Sequence, residues 1–324
     1  SIDVRLSTMP TQYGESVVMR LLDQTEGALS MDKIGMPPKI LERFKIAVTR
    51  PHGLVLVTGP TGSGKTTTLY GALSELNKPE IKIITAEDPV EYRLPRITQV
   101  QVNPKVGLTF SVVLRACLRQ DPDVVLIGEM RDQETAEIGL RAAMTGHMVM
   151  STLHTNDAIG SAMRLIDMGA EPYLVASSLQ GVLAQRLIRR NCPDCASEYH
   201  PTEQERIWLN SMVEGTGAIP DTFTAGTGCY QCSNTGYKGR VGIYEWLEMD
   251  DNTLGNLRRA DADGFAAAAK QSRYYEPLEL CALRYAQEGI TTLDEVFRVS
   301  ASLDEYSVNI EDDLILDIDS ALDE

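Results

Sequence analysis

The stretch Leu54-Val-Leu-Val-Thr-Gly-Pro-Thr-Gly-Ser-Gly-Lys-Thr66 decides the fold. A short apolar, β-branched run leads into a loop that matches G-x4-G-K-[ST] at every fixed position, and residues 67–76 then have a helical pattern. Glycines let backbone N–H groups turn inward around phosphate oxygens, and the helix N-terminus adds partial positive charge. A glycine-rich turn that matches by chance is the alternative, but strand, loop and helix together predict a phosphate-binding loop.

This loop predicts the residues that would hold a nucleotide. In such loops the lysine, here Lys65, reaches the β- and γ-phosphates, and the following hydroxyl, here Thr66, is a ligand of Mg²⁺. ATP and Mg²⁺ are therefore the expected cofactors. The predicted nucleotide-binding residues are Gly59, Pro60, Thr61, Gly62, Ser63, Gly64, Lys65, Thr66 and Thr67.

Outward from the loop, buried-type strands alternate with helical segments. The strands are predicted at residues 54–58, 81–85, 124–127 and 148–153, and the helices at residues 39–49, 67–76, 111–119 and 134–144. A further helix is predicted from about Pro172 to Arg189. Apolar runs that alternate with helices are typical of a parallel sheet in an α/β domain.

Two carboxylates follow predicted strands and are candidate catalytic groups. Glu129 ends the run Asp123-Val-Val-Leu-Ile-Gly-Glu129, where it is expected to orient Mg²⁺-bound water or to polarise the nucleophile. Glu87 lies in Glu87-Asp-Pro-Val-Glu91, and we expect it to act as general base or to orient water. Ligands of open α/β sheets bind outside the carboxyl ends of the strands. The alternative is an exposed carboxylate at a strand end for Glu129 and a solvated acidic turn for Glu87.

Two histidines bracket the predicted strand at residues 148–153. His154 follows its carboxyl end, and His147 precedes it. Either ring is a candidate sensor of the γ-phosphate, although a lone histidine is more often a packing or capping residue.

Four of the six cysteines form two C-x2-C pairs, Cys192-Pro-Asp-Cys195 and Cys229-Tyr-Gln-Cys232. Two such knuckles complete a tetrahedral Zn²⁺ site, and a site closed by four thiolates is expected to be structural. The alternative is redox pairs or chance. Close thiol pairs in a chain of this length favour a metal in a reducing compartment over a disulfide scaffold.

Composition limits the possible partners. The 324 residues carry a formal charge of −16, and nine Asp and Glu residues but no Lys or Arg follow Arg298. An acidic body disfavours a broad nucleic-acid footprint, so no nucleic acid is expected. No apolar run approaches the ~18 residues of a membrane-spanning helix, and the N-terminus is not a signal peptide.

Together these motifs resemble those of the type II secretion and type IV pilus assembly ATPases, a branch of the RecA-like hexameric ATPases. Four boxes occur in family order: residues 59–66, the acidic box 85–91, the box 121–132 and the histidine box 147–154. Residues 236–245, Gly-Tyr-Lys-Gly-Arg-Val-Gly-Ile-Tyr-Glu, resemble the family segment after the second cysteine pair. The cysteine knuckles are similar to those of the assembly and secretion branch. Within that branch, the chain most resembles pilus-extension ATPases of the MSHA type.

The resemblance implies a fold, a reaction and partners. It implies a RecA-like ATPase core with a tetracysteine zinc subdomain and a helical C-terminal subdomain. It implies a hexamer on an inner-membrane platform protein, and hence a cytoplasmic, peripheral location. Relative to the family, the chain is expected to be truncated at its N-terminus, and Arg5 and Arg20 match positions that approach the nucleotide phosphates as arginine fingers.

The expected division of the chain has six parts. These are a stub of a preceding domain (1–24), a linker (25–38), the ATPase core (39–190), the zinc subdomain (191–235), the helical subdomain (236–302) and an acidic tail (303–324). Two other functions stay open at this point: a conjugation-type motor that handles nucleic acid, and a nucleotide-gated scaffold that does not hydrolyse ATP.

Overall fold

A seven-stranded sheet forms the centre of the molecule in a computed structural model, which describes residues 2–23, 29–213 and 219–301. The strand order is β11-β8-β3-β7-β6-β4-β5. All neighbours pair in parallel except the edge strand β11, which is antiparallel to β8. The sheet strands are β3 (Gly53–Thr58), β4 (Ile83–Glu87), β5 (Thr98–Gln101), β6 (Val124–Ile127), β7 (Met148–Leu153), β8 (Leu179–Asn191) and β11 (Tyr237–Glu248).

Helices flank the sheet and fill the C-terminal region. They are α1 (Pro38–Val48), α2 (Lys65–Leu76), α3 (Phe110–Cys117), α4 (Gln133–Met144), α5 (Ala158–Asp167), α6 (Pro172–Ser178), α7 (Glu203–Met212), α8 (Asp251–Arg258), α9 (Ala262–Lys270), α10 (Leu278–Gln287) and α11 at residues 293–301. The α/β fold with a largely parallel sheet is thus confirmed.

Strand β3 shows how the sheet divides the core into two layers. Leu54 and Leu56 pack with the apolar side chains of α4, α5 and α6, whereas Val55 and Val57 pack with those of α1 and α2. Successive side chains of a strand point to opposite faces, so an unbroken apolar run is the pattern of a strand that is covered on both sides.

The predicted helix from Pro172 to Arg189 is wrong over most of its length. Helix α6 ends at Ser178, and residues 179–191 form the long strand β8 between β3 and β11. Gly181 accounts for the close approach of these strands, because a side chain there would overlap the Trp246 ring of β11. Tertiary pairing has overridden the local helical pattern.

The C-terminal part is only partly helical. Residues 237–248, predicted within the helical subdomain, form the edge strand β11, and the helices begin at Asp251. Between β8 and β11, the cysteine region holds α7 and a small antiparallel pair, β9 (Ala196–Tyr199) and β10 (Phe223–Gly226). The acidic tail lies outside the described residues.

The first residues form an antiparallel hairpin, β1 (Ile2–Thr11) and β2 (Gly14–Asp23). It is a separate two-stranded sheet, and apolar side chains on it, such as Leu6 and Met19, are more than 60% exposed. Residues 24–28 of the predicted linker lie outside the described part of the chain. Within the described residues, no helix has the length and apolar character needed to span a bilayer.

Candidate functional site

The phosphate loop lies at the carboxyl end of β3 and leads directly into α2. Gly59, Gly62 and Gly64 have φ values of 142°, 81° and 90°, which only glycine adopts without strain. The Lys65 ammonium donates to the carbonyl oxygens of Gly59 at 2.6 Å and Pro60 at 3.1 Å. Burial lowers the pKa of Lys65, and the nearby Glu129 carboxylate opposes that shift.

The loop residues fit a bound phosphate chain. The Ser63 side chain is only 3% exposed, and its hydroxyl oxygen is buried without a hydrogen-bond partner. Buried polar atoms are rarely left unpaired, so this hydroxyl and the Lys65 ammonium are groups that a polyphosphate could satisfy. Thr66 and Thr67, at the start of α2, are half-buried.

Glu129 and His154 lie beside the loop, as predicted. The Glu129 carboxylate is paired with the Arg131 guanidinium, and its other oxygen is 3.4 Å from His154 Nε2. Burial lowers the pKa of His154, and the positive charge of Lys65 lowers it further while Glu129 opposes the change. The ring is therefore neutral at neutral pH, and it lies beside the Glu129 carboxylate, which is already paired with Arg131.

Glu87 also lies at this edge of the sheet, but it is 4% exposed and fully engaged. Its carboxylate accepts hydrogen bonds from the Tyr70 hydroxyl, the Thr85 hydroxyl and the Gln99 side-chain amide. In this conformation it is held towards α2 and β5. A water-orienting role would require at least one of these donors to be exchanged.

The structure does not bring His147 to this site. His147 precedes β7 at the amino edge of the sheet, where its Nδ1 lies 3.0 Å from the Ala142 carbonyl oxygen and its own carbonyl accepts from Gly53 N–H. Six strand residues, or roughly 20 Å, separate it from the phosphate loop. Within one chain, His147 is a capping residue at the end of α4.

Arg5 and Arg20 face each other in the register of the β1–β2 hairpin. The structure therefore brings these two positions together, on an element separate from the main sheet.

Small hydroxyl side chains connect the parts of the site. The Thr58 hydroxyl donates to the Thr155 carbonyl oxygen at 3.0 Å, and the Thr152 hydroxyl donates to the Gly128 carbonyl oxygen at 2.6 Å. The first contact ties the segment after His154 to β3, and the second ties β7 to the segment that carries Glu129. Each of these two contacts thus joins a strand of the sheet to a neighbouring segment of the candidate site.

Sequence reasoning missed Gln185, which lies under the loop. Its side chain is 2% exposed, and its amide N–H donates to the Ser63 carbonyl oxygen while its amide oxygen accepts from the Thr68 hydroxyl. A lone amide within the apolar run Gly181-Val-Leu-Ala-Gln185 was the available signal.

A second missed residue is Glu245 of β11, which is 1% exposed. Its carboxylate accepts from the backbone N–H groups of Ala158, at the start of α5, and of Leu278, at the start of α10. Burial, with the negative charge of Asp157 adding to it, raises the pKa of Glu245 to about 8.

The four cysteines of the two knuckles converge, as predicted. Their sulfur atoms all lie within 4.8 Å of one another, with Cys192–Cys229 at 3.8 Å, Cys195–Cys232 at 3.9 Å and Cys229–Cys232 at 3.7 Å. With Zn–S bonds of about 2.3 Å, a tetrahedral site places its sulfurs about 3.8 Å apart.

Backbone donors support the same cluster. The Cys232 sulfur accepts from the N–H groups of Cys229 and Gly236, at 3.2 and 3.3 Å. Although burial opposes it, these donors lower the pKa of Cys232 to about 6. The donor set and its spacing fit a Zn²⁺ ion closed by four thiolates.

The chain is similar in sequence to known ATPases of secretion and pilus assembly. The profile of the family described as "Type II/IV secretion system protein" matches residues 1–298. The type II secretion system ATPase E of Vibrio cholerae is 50% identical over 301 residues, which are 93% of this chain and 59% of that protein. The type IV pilus assembly ATPase PilB of Myxococcus xanthus is 48% identical over 91% of this chain and 52% of its own length. The chain thus spans between half and three fifths of these relatives.

Solved structures share the fold. The pilus retraction motor PilT with bound ADP superposes with a TM-score of 0.64, at 27% identity, over 91% of this chain and 77% of PilT. The Legionella pneumophila ATPase DotB superposes with a TM-score of 0.67, over 92% of this chain and 72% of its own, but at 20% identity this likeness shows the fold alone. The resemblance in sequence motifs is thereby confirmed, and the chain belongs to the type II/IV secretion system protein family.

Proposed function

We propose that this chain is the nucleotide-binding and hydrolysing part of a motor ATPase that powers type II protein secretion or type IV pilus assembly. The observation that carries the proposal is the convergence of Lys65, Glu129 and His154 at the carboxyl edge of the sheet, around a loop with an unpartnered Ser63 hydroxyl. The relatives named ATPases of secretion and pilus assembly support the same reaction class.

The residues of the site divide the work of phosphoryl transfer to water. Lys65 would leave the loop carbonyls that it now holds and bind the β- and γ-phosphates. Thr66 would be the protein ligand of Mg²⁺, and Glu129 would hold water that Mg²⁺ orients once Arg131 has moved aside. When bound, Mg²⁺ would neutralise the phosphate charge. The neutral His154 ring would hydrogen-bond to the γ-phosphate or to the attacking water.

Further roles follow from the resemblance. Glu87 would orient or activate the attacking water after exchange of one of its three donors. Arg5 and Arg20, paired in register on the hairpin, would supply positive charge to the phosphates. His147 lies too far from the loop for sensing within one chain, and any such role would need the site of another copy.

The assembly is part of the same proposal. A Zn²⁺ ion would tie the two cysteine knuckles together. The intact protein would act as a hexamer on an inner-membrane platform protein, and it would be peripheral on the cytoplasmic side. We propose that the chain divides into an ATPase core, a zinc subdomain and a C-terminal subdomain.

The test measures ATP binding by calorimetry and hydrolysis by phosphate release. Lys65→Ala should lower affinity or turnover by more than tenfold, because it removes the only side-chain cation of the loop. Glu129→Gln should spare binding and abolish hydrolysis, because shape is kept while charge is lost. Lys105→Ala and Glu80→Gln, at exposed positions, are the matched controls. A parent chain that binds no ATP would overturn the proposal, and a Glu129→Gln variant with parental turnover would overturn the role of that carboxylate.

A further inference from the structure

Strand β8 passes directly beneath the phosphate loop, beside β3. Thr58 pairs with Ala184 in the sheet, so the next residue, Gln185, lies under the loop that follows Thr58. The space is tight: a side chain on Gly59 would overlap the Gln185 carbonyl oxygen, and one on Gly64 would lie 3.2 Å from the Gln185 amide nitrogen. Gln185 therefore lies directly beneath the loop, and Gly59 and Gly64 pack against it.

The side-chain amide of Gln185 is fixed at both ends. Its nitrogen donates to the Ser63 carbonyl oxygen at 2.8 Å, and its oxygen accepts from the Thr68 hydroxyl of α2 at 2.8 Å. The Ser63 carbonyl oxygen can only accept, so the amide nitrogen must face Ser63, and the amide oxygen then accepts from the Thr68 hydroxyl. One buried side chain thus sets the position of the loop relative to the helix that follows it.

The direction of the Ser63 carbonyl decides where the next N–H points. The Ser63–Gly64 peptide is trans, so its C=O and N–H groups point in opposite directions. Holding the Ser63 carbonyl down towards β8 aims the Gly64 N–H away from the sheet, into the concave side of the loop. A flipped peptide would instead present a carbonyl oxygen to the phosphates, which would repel them.

We infer that Gln185 is a positioning residue for the nucleotide: it fixes the Ser63–Gly64 peptide so that the loop offers an N–H donor to the phosphate groups. The inference rests on the proposed function, since it assumes that the loop binds a nucleotide. Gln185 itself acts through the loop and does not touch the phosphates.

The experiment compares two variants that remove the amide, Gln185→Leu and Gln185→Met, with Thr68→Val as matched control. Thr68→Val deletes only the contact to α2 and keeps the donor to Ser63. Calorimetry measures the Kd of ADP, of inorganic pyrophosphate and of AMP, and thermal melting by circular dichroism reports the fold. A hydrogen bond to a charged group corresponds to a factor of about 10–100 in affinity.

We expect the Kd of ADP and pyrophosphate to rise about 10–100-fold in both Gln185 variants and less than about 3-fold in Thr68→Val. The Kd of AMP should change little, because its single phosphate uses less of the loop. A loss of folding alone would weaken the binding of all three ligands together. The ratio of the AMP Kd to the ADP Kd therefore distinguishes a positioning role of Gln185 from a role in stability.

Several outcomes would overturn the inference. An unchanged preference for ADP over AMP in folded Gln185 variants would overturn it and leave the proposed function standing. Unfolding of both variants at 25 °C would assign Gln185 to core stability instead. A parent chain that binds neither ADP nor pyrophosphate would overturn the inference and the proposed function together.

Discussion

At the scale of single residues, each charged group of the candidate site is paired with a protein partner. Lys65 binds loop carbonyls, Glu129 binds Arg131, and Glu87 binds three neutral donors. Each contact must be exchanged before the residue can act on a nucleotide. On the proposed function, turnover would therefore depend on movement of the segments that carry these partners.

The buried Glu245 predicts a pH dependence of stability. Its pKa is about 8 in the folded chain, against an ordinary value of 4.5, so the folded state keeps a proton that the unfolded state releases between these pH values. Stability from this group should therefore fall as pH rises through the window, by at most about 1.4 kcal/mol per pH unit. Glu245→Gln cannot titrate and should remove that slope.

Urea unfolding at pH 5.5 and pH 8.0 measures this effect. The stability of the parent relative to Glu245→Gln should be greater at pH 5.5 than at pH 8.0. Glu80→Gln, at an exposed position, should show no such difference. Parallel pH profiles for the parent and Glu245→Gln would contradict the assignment of the proton to Glu245.

The residues that the sequence predicted are those with a local pattern. Lys65, Glu129 and His154 follow apolar strands, and the paired cysteines have their own spacing. The structure brings the first three side chains near one another and gathers the four cysteine sulfurs. Gln185 and Glu245 belong to no motif, since their importance comes from contacts with residues 117–122 and 33–87 positions away in the chain. Long-range contacts of that kind are invisible to local patterns.

At the scale of elements, local sequence predicts the short apolar strands correctly but not the long strand β8, which depends on its strand partners. The strands at residues 124–127 and 148–153 have the predicted bounds because both are short apolar runs that end at turns. Residues 179–191 contain Gln185, Arg186, Arg189 and Arg190, and this spacing imitates an amphipathic helix. Pairing with β3 and β11 decides the outcome, and local sequence does not contain it.

Two Gly→Ala substitutions are expected to have opposite effects on stability, one at the contact of β8 with β11 and one in helix α8. Gly181→Ala should destabilise the chain by about 1–3 kcal/mol, because the added methyl group overlaps the Trp246 ring. Gly255→Ala, in α8, should stabilise it by about 0.5–1 kcal/mol, because the nearest atom to the new methyl group is 3.8 Å away and alanine favours helices. Thermal denaturation of both variants tests the pair, and a Gly181→Ala variant as stable as the parent would contradict the packing.

At the scale of the whole molecule, a separate hairpin precedes residues 39–190 and the cysteine cluster follows them. The knuckles connect the end of β8 with the start of β11, so the metal would close a loop of the chain between two paired strands. The hairpin, in contrast, has its own two-stranded sheet.

Zinc removal should therefore have a local effect. Native mass spectrometry should find one Zn²⁺ per chain, and chelation should lower the melting temperature because metal binding contributes folding free energy. Hydrogen exchange should rise at residues 192–232 while the phosphate loop still binds ATP. Cys117→Ser, away from the cluster, is the control for thiol loss. A chain that is fully folded and metal-free, with four free thiols, would contradict the prediction.

The arginines predict a dependence of turnover on chain length. The chain as given should bind ATP but hydrolyse it slowly, because Arg5 and Arg20 belong to a two-stranded sheet separate from the sheet that carries the phosphate loop. Lengthening the chain at its N-terminus to the span of its relatives should raise turnover. Arg5→Ala or Arg20→Ala should then erase a gain that reaches roughly 10³–10⁵ where arginine fingers have been measured.

The readout is the turnover number, with ATP affinity as the control. A short chain as active as the long one would contradict this prediction, as would two arginine substitutions without effect in the long chain.

The thirteen-residue strand β8 also has a mechanical consequence. It carries Gln185 under the phosphate loop and runs on to Cys192, about 23 Å further along. Residues 181–184 pair with both β3 and β11, whereas the residues beyond Ala184 pair with β11 alone. The strand is therefore held firmly at the loop end and bends more easily towards the cysteines. A displacement of the cysteine knuckles would reach Gln185 along β8 and β11, and bending of the segment that is paired on one side only would absorb part of it. Force applied at the cysteine knuckles would thus reach the proposed nucleotide site only in part.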